Sequence, residues 1–460
     1  ALNGDTDLDI MVHQDDYKRF VQIIQEKGFS LYQSVGKQSY ISISDYLLLD
    51  SESQKILHIH LHKGLMIGRK FYKEYLIPIE ECYYNRTIFD SCYPVKIMDP
   101  AQEFVTLWFR YALKTTVLKY ILKRFRISKD FLRESEWLEQ QIDKDSLSNV
   151  IRDFDLDIEG ELLDTFNEFI NSNKSTSSTL RLIKKIRKMF KKHKTENFTG
   201  LKYICVRLKM VVRYILQCKL HMPVPYRRIN PNGGEIIALV GSDGAGKSTI
   251  LDSLGRSLMK KIDIYHEYLG SGDGRSSLLR APMQFIKNIL KTSKKTSSGE
   301  KSTEKNVTSF EKLSLAKVIW ALVLAFEKKN KLKRVWKAKA RGMIVICDRY
   351  PQREVVGIND GPLLFSWINS TKKIKRSLAE WEMQVYKLAE SYKPDILIKL
   401  IVEPEIAIMR KPHEDLNNIK QKTEIIKKIN IPAKKIVVID ANKPLERVLE
   451  NVYSEVSKIL

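Results

Sequence analysis

The stretch IIALVGSDGAGKSTILDSL, residues 236–254, decides how the larger part of this chain folds. An apolar, strand-like run enters a glycine-rich turn. The segment that leaves it repeats Ile250, Leu251, Leu254 and Leu258 at helical spacing. Between them Gly241-Ser242-Asp243-Gly244-Ala245-Gly246-Lys247-Ser248 fits G-x-x-x-x-G-K-[ST], with Thr249 directly after it. Glycines at these places let backbone N–H groups point inward around phosphate oxygens, and the N-terminus of the following helix adds positive potential. Lys247 then reaches the terminal phosphates and Ser248 ligates Mg²⁺. The pattern, set between a strand and a helix, predicts a nucleotide site.

From 235 onward such runs recur, as EIIALVG, IYHEYLG, MIVICD, DILIKLIV and KIVVID, with helical segments between them. Continuous apolar strands alternating with helices imply a parallel sheet covered on both faces, an α/β class. In IVICDRYP, 344–351, the strand ends in Asp348, which puts a carboxylate beside the glycine loop where it can hold Mg²⁺ directly or through water. Arg349 next to it offers a planar fork suited to a phosphate.

These residues together resemble the thymidylate kinase family of nucleoside-monophosphate kinases. DGAGKST at 243–249 matches that family's loop, Asp243 included, and DRYP matches its DR-aromatic motif. PDILIKLIVEPEIAIMRK at 394–411 is similar to its strand into a lid, and VVIDANKPLERVLENV at 437–452 to its last strand and helix. The resemblance implies a P-loop kinase that uses ATP and Mg²⁺ on a small-molecule phosphate acceptor. Asp243 and Arg349 would face the acceptor, and Arg410 would lead a lid over ATP at about 409–422. Two departures stand out. Val240 replaces a Glu before the first loop glycine, and EYLGSGDGRSS at 267–277 replaces R-E-P-G, leaving Arg275 or Arg280 as substitutes for an acceptor-side arginine. The phosphotransfer parts are present; the acceptor pocket is rewritten. KTSKKTSSGEKSTEKN at 291–306, with almost no apolar residue, reads as a disordered insertion.

Residues 1–110 read as a small α+β domain. NGDTDLDIMV sets Asp7 and Asp9 on one side of a strand, two carboxylates able to share a divalent ion as a second metal site. This resembles the G-[SD]-x-x-D-x-D strand of the nucleotidyltransferase superfamily. The third carboxylate expected on a later strand is replaced by LHIHLH, and the motif begins at residue 4, as in a truncated or degenerate domain. DFDLD at 153–157 is an equally acidic triplet in a helical region. His58, His60 and His62 fall on one strand face, either as metal ligands or as a polar cleft wall.

Residues 111–228 read as a basic helical region broken by a polar linker, NSNKSTSST, at 171–179, with a second linker, MPVPYRRINPNGG, before the P-loop domain at 229–460. Between 181 and 228 there are 15 Lys or Arg and a single acidic residue, Glu196. In LRLIKKIRKMFKKHK the residues Leu182, Ile183, Ile186, Met189 and Phe190 form a stripe backed by lysines. A helix on an anionic membrane shows this pattern, and so does a packed helix with a solvated back. Nucleic acid ranks below both, because no aromatic ladder accompanies the charge. The formal charge of +24 favours anionic partners without choosing among them. No apolar run reaches the roughly 18–20 residues of a membrane span, and Cys82, Cys92, Cys205, Cys218 and Cys347 form no C-x-x-C pair. The expectation is a cytoplasmic protein, with a peripheral place at the inner membrane face as an option and the oligomeric state open, a dimer included. Two other functions stand beside the kinase: a bifunctional nucleotidyltransferase–kinase, and a non-catalytic ATP switch at a membrane.

Overall fold

The computed structural model describes residues 6–35, 40–115, 127–154, 161–195, 199–270 and 315–460. The chain divides into two units, Ala1–Tyr46 with His58–Val212, and Leu47–Leu57 with Arg213–Leu460. Among the described residues no helix is long and apolar enough to cross a membrane. The expected insertion at 291–306, together with Arg275 and Arg280, lies outside the described residues.

The first unit opens with β1 (Leu8–Met11), α1 (Tyr17–Glu26), β2 (Ser30–Ser34), β3 (Ile43–Leu49) and β4 (Ile56–His62), and its strands lie in the order β1-β4-β3-β2. β1 runs parallel to β4, with Asp9 opposite His60 and Met11 opposite His62. Strand alternation sends Ile59 and Leu61 of β4 into a small core with Ile24 and Tyr46, which leaves the three histidines on the opposite face.

The domain boundary expected at 110/111 is overturned. Helix α2 (Pro100–Lys114), capped by the Asp99 carboxylate accepting from Gln102 N–H, runs straight through it. Its Phe104, Val105, Trp108, Phe109, Ala112 and Leu113 are buried in one core with residues as distant as Val150, Phe166 and Ile186. The linker expected at 171–179 is likewise corrected. Helix α3 (Glu161–Asn171) turns back through Asn173 and Lys174, both at positive φ, into α4 (Thr176–Met189). The Ser175 hydroxyl accepts from Ser178 N–H as the cap of α4. The polar run is a tight interhelical turn. The basic stripe is also reassigned: Leu182, Ile183, Ile186 and Phe190 are fully buried, so α4 spends its apolar face on the core. α5 (Thr199–Tyr214) follows.

The second unit holds a five-stranded sheet in the order β6-β7-β5-β8-β9: β5 (Ile236–Gly241), β6 (Ile264–Tyr268), β7 (Ile344–Asp348), β8 (Ile396–Ile401) and β9 (Lys435–Asp440). Every pair is parallel. All six residues of β5 are buried, as a central strand covered on both faces requires. Ile236, Ala238 and Val240 share a core with Leu332 and Val335 of α7 (Leu315–Ala340) and Val385 of α8 (Lys373–Ser391). α6 (Lys247–Met259) follows β5 and packs on β5, β6 and β7. After β8 come α9 (Pro404–Arg410) and α10 (Leu416–Lys428), and α11 (Leu445–Ser457) closes the chain. Because the chain fills one side of β5 with β6 and β7 and then crosses to the other with β8 and β9, the carboxyl end of β5 lies at the switch point where open α/β sheets hold ligands.

Candidate functional site: a phosphate loop and its carboxylate

The glycine loop sits at that switch point. Gly244 and Gly246 both adopt φ of +84°, the left-handed region that side chains resist. A Cβ on Gly244 would also stand 2.5 Å from the Ala407 carbonyl oxygen. Lys247, the first residue of α6, is buried, and its Nζ donates to the carbonyls of Gly241 (2.9 Å) and Ser242 (2.8 Å). Burial, with Arg349 beside it, pushes the Lys247 ammonium down to about 8, against the pull of Asp243 and Asp348. Ser248 and Thr249 are exposed on the first turn of α6, where backbone N–H groups lack helical partners.

Asp348 ends β7 with Leu239 of β5 opposite it, so the carboxylate stands next to the loop. Burial raises its pKa, and its Oδ1 is buried with no hydrogen-bond partner among the described residues. An orphaned carboxylate oxygen beside a phosphate loop fits a bound cation. Arg349 is held at φ +68°, and its backbone N–H donates to the Leu239 carbonyl. Its guanidinium forks between Asp243 (Nη2 to Oδ1, 3.2 Å) and Asp360 (Nη1 to Oδ2, 3.6 Å), while its buried Nε has no partner among the described residues. Tyr350 anchors this corner from below, with its hydroxyl donating to the carbonyls of Ala389 and Tyr392.

Several residues of the site carry no motif. Lys422 of α10 binds the other oxygen of Asp243 at 2.5 Å. Burial opposes ionisation of Asp243, yet Lys422, Lys247 and Arg349 together hold its carboxyl below the ordinary range. Asp360 reaches Arg349 on a loop pinned by Gln352, whose amide donates to the carbonyls of Val355 and Ile358, both at 2.8 Å. Arg410 lies on the other flank, donating to the Ala441 carbonyl at 2.9 Å and the Gly244 carbonyl at 3.4 Å. The lid expected at 409–422 is mostly helix: Leu416 onward belongs to α10, and Ile419 is buried. Two depressions open beside the loop. One is bordered by Thr249, Arg410, Ala441 and Lys443, the other by Gly241, Arg349, Asn359 and Asp360.

In the first unit the structure joins both sequence motifs. His58 is fully buried between Asp7 (Nδ1 to Oδ1, 2.9 Å) and Asp45 (Nε2 to Oδ1, 2.9 Å). His60 bridges Asp9 (Nδ1 to Oδ1, 3.1 Å) and Asp45 (Nε2 to Oδ1, 3.0 Å), and His62 Nε2 lies 3.2 Å from the same Asp9 oxygen. Burial disfavours the Asp9 carboxylate, but hydrogen bonds from His60 and His62 bring its pKa well below the ordinary range. Asp45 escaped the motif reading because it stands on β3, outside the D-x-D strand. Asp153 of the acidic triplet at 153–157 pairs with Arg86, and residues 155–157 lie outside the described residues.

A parallel sheet with this loop at its switch point and a carboxylate on the adjacent strand end defines a P-loop nucleotide-binding protein. The chain is 30% identical over 231 residues to the uncharacterized ATP-binding protein YghR of Escherichia coli K12, which spans 49% of this chain and 87% of that one. It is 29% identical over 228 residues to YghS of the same organism, 48% of this chain and 92% of that one. Through that half, the chain belongs to the family of YghR. No family model matches it. Among solved structures, thymidylate kinase from Candida albicans is similar at 16% identity and a TM-score of 0.29, covering 49% of this chain and 92% of that one. Deoxyadenosine kinase from M. mycoides is similar at 18% identity and a TM-score of 0.26, covering 48% and 98%. Scores this low add no weight to either fold or activity.

Proposed function

We propose that the second unit binds ATP with Mg²⁺ and transfers the γ-phosphoryl group to a small molecule that already carries phosphate, a nucleoside monophosphate or another phosphorylated metabolite. The observation that carries this reading is the pair of unsatisfied groups at one strand end, Asp348 Oδ1 and Arg349 Nε, on either side of a peptide bond and next to the loop. Ser248 and Asp348 would hold Mg²⁺, which supplies charge neutralisation on the β- and γ-phosphates. Lys247 meets the transferring phosphate. Arg410 closes the nucleotide flank, and Arg349, fixed by Asp243 and Asp360, orients an anionic acceptor. Catalysis is then positioning and electrostatics rather than covalent chemistry.

ADP release by the full chain, measured with a panel of nucleotides and phosphorylated sugars, tests the reading. Release that depends on an acceptor supports it. ATP binding with no acceptor-dependent turnover favours the non-catalytic switch. The bifunctional alternative gains a third carboxylate in Asp45, but the carboxylates of the first unit meet imidazoles rather than one another. The reading kept is therefore a single phosphotransferase activity.

A second reading concerns the membrane. With the α4 stripe buried, α5 and the turn after it carry the remaining one: Leu201, Ile204, Leu208, Val211 and Ile215 are exposed at helical spacing. Lys202, Arg207, Lys209, Arg213 and Lys219 accompany them, and 199–222 holds no acidic residue. We propose this face, in place of 181–194, as the contact with an anionic membrane surface.

A further inference from the structure

The first unit contains a side-chain cluster that the phosphotransferase reading does not use. Asp9, His60 and His62 offer one carboxylate oxygen and two imidazole nitrogens that lie within 4.8 Å of one another. The backbone sets this up: β1 and β4 are parallel neighbours, Asp9 is opposite His60, and His62 is the next residue of β4 on the same face. Asp9 Oδ1 stands 3.1 Å from His60 Nδ1 and 3.2 Å from His62 Nε2. A tetrahedral ion with metal–ligand bonds of 2.0–2.1 Å separates its ligand atoms by roughly 3.3 Å, so little rearrangement is needed to admit one.

The surroundings are those of a ligand set rather than of a hydrogen-bonded strand face. His60 presents Nδ1 to the cluster while its Nε2 is 3.0 Å from Asp45 Oδ1. This is the outer carboxylate that orients a metal-bound imidazole. Asp45 is itself fixed by the fully buried His58 and by the Ser34 hydroxyl at 3.2 Å. Arg110 approaches the far oxygen of Asp9, Oδ2, at 3.9 Å, leaving Oδ1 turned to the histidines. The Asp9 side chain is 48% exposed, so the cluster opens to solvent on its carboxylate side.

We infer that Asp9, His60 and His62 bind a divalent transition-metal ion of the zinc class, with Asp45 as the residue that positions His60. Two imidazoles and one carboxylate leave at least one coordination position open. Arg110 and Lys114 stand near Asp9, so the ligand that suits that position is an oxyanion. Imidazole nitrogen selects against Mg²⁺ and Ca²⁺, which take oxygen. The site is thus distinct in kind from the Mg²⁺ site of the second unit, and it stands or falls independently of ATP chemistry.

The test uses the full chain, freed of metal with a chelator that is then removed, and titrated with Co²⁺ and then Zn²⁺. One Co²⁺ per chain is expected, with visible d–d absorption of a low-coordinate N/O site, no thiolate charge-transfer band, and displacement by one equivalent of Zn²⁺ but not by a hundredfold excess of Mg²⁺. His60→Ala and Asp9→Ala should each weaken Zn²⁺ at least a hundredfold, and Asp45→Asn about 10–100-fold. Circular dichroism and nucleotide binding by the second unit report whether each variant is folded. His62→Gln, which keeps a polar side chain at this mostly buried position, serves if the alanine variants do not fold. The inference is overturned by absence of Co²⁺ and Zn²⁺ uptake in the wild-type chain, by equal competition from Mg²⁺, or by uptake that shows thiolate bands and persists in His62→Gln.

Discussion

Arg349 at the end of one strand and Asp243 inside the glycine loop, 106 residues apart in sequence, meet at 3.2 Å. In the proposed reaction this contact would tie the cation that faces the acceptor to the loop that holds ATP, so that one ion pair sets both flanks of the site. Arg349→Ala should lower acceptor kcat/KM by about 10²–10³, the usual cost of one transition-state donor, with ATP affinity within a few-fold of wild type. Steady-state kinetics with acceptor varied at saturating ATP, alongside direct ATP binding, measures both. An equal loss in ATP affinity would move Arg349 to the donor side.

Asp243 is also gripped by Lys422, which predicts a hierarchy. Lys422→Ala should impair turnover less than Arg349→Ala, because Lys422 acts through its contact with Asp243. A larger defect in Lys422→Ala would make α10 a direct phosphate ligand.

Lys247 predicts a pH dependence. Its folded value of about 8 lies below the ordinary 10.5, so the buried ammonium loses its proton within an accessible range. The cation is the form that meets phosphate. Nucleotide affinity should therefore be constant at lower pH and fall above about pH 8, by up to tenfold per unit. The sign for stability is opposite: with the folded value depressed, the group favours the fold most above 10.5 and costs stability as pH drops from there toward 8. Lys247→Arg, which stays charged, should flatten the binding profile. A fluorescent nucleotide titrated across that range decides it.

The two basic helices predict contrasting mutants. Ile186→Ala or Phe190→Ala should cost about 2–5 kcal/mol of stability, as core truncations do, with vesicle binding unchanged in whatever remains folded. Leu208→Asp with Ile204→Asp should leave the melting temperature nearly unchanged and abolish binding to anionic vesicles, while wild type binds anionic vesicles more than neutral ones and less at high salt. Equal partition onto both vesicle types would remove the membrane from the account.

The rewritten acceptor side makes a prediction about substrate choice. By the sequence resemblance alone, Val240 and the EYLGSGDGRSS segment replace the acceptor contacts of the thymidylate kinase pattern, so thymidine monophosphate should be a poor acceptor at best. Saturable, efficient phosphorylation of it by the purified chain would refute this.

What the sequence disclosed of the site lies within one strand–loop–helix and at the end of a second strand. Gly244, Lys247 and Asp348 are dictated by local geometry and their spacing shows it. Lys422, Asp360 and Asp45 arrive from segments with no motif, since any exposed-looking Lys or Asp carries the same local signal. The polar run at 171–179 misled for a related reason: Ser175 as a helix cap and Asn173 at positive φ have the composition of a linker. The α4 stripe was undecidable locally, because an apolar face next to lysines does not say what covers it. Only the aromatic core around Trp108 and Phe190 does.

The close approach of Gly244 to the Ala407 carbonyl has a bearing on how this site can change. With no room for even a methyl group between loop and helix, residues 241–247 and 404–410 behave as one machined part, and Arg410 rides at its far end. On the proposed reading, change in what this scaffold accepts would then come through the Asp360 loop, which can be redrawn without recutting that joint.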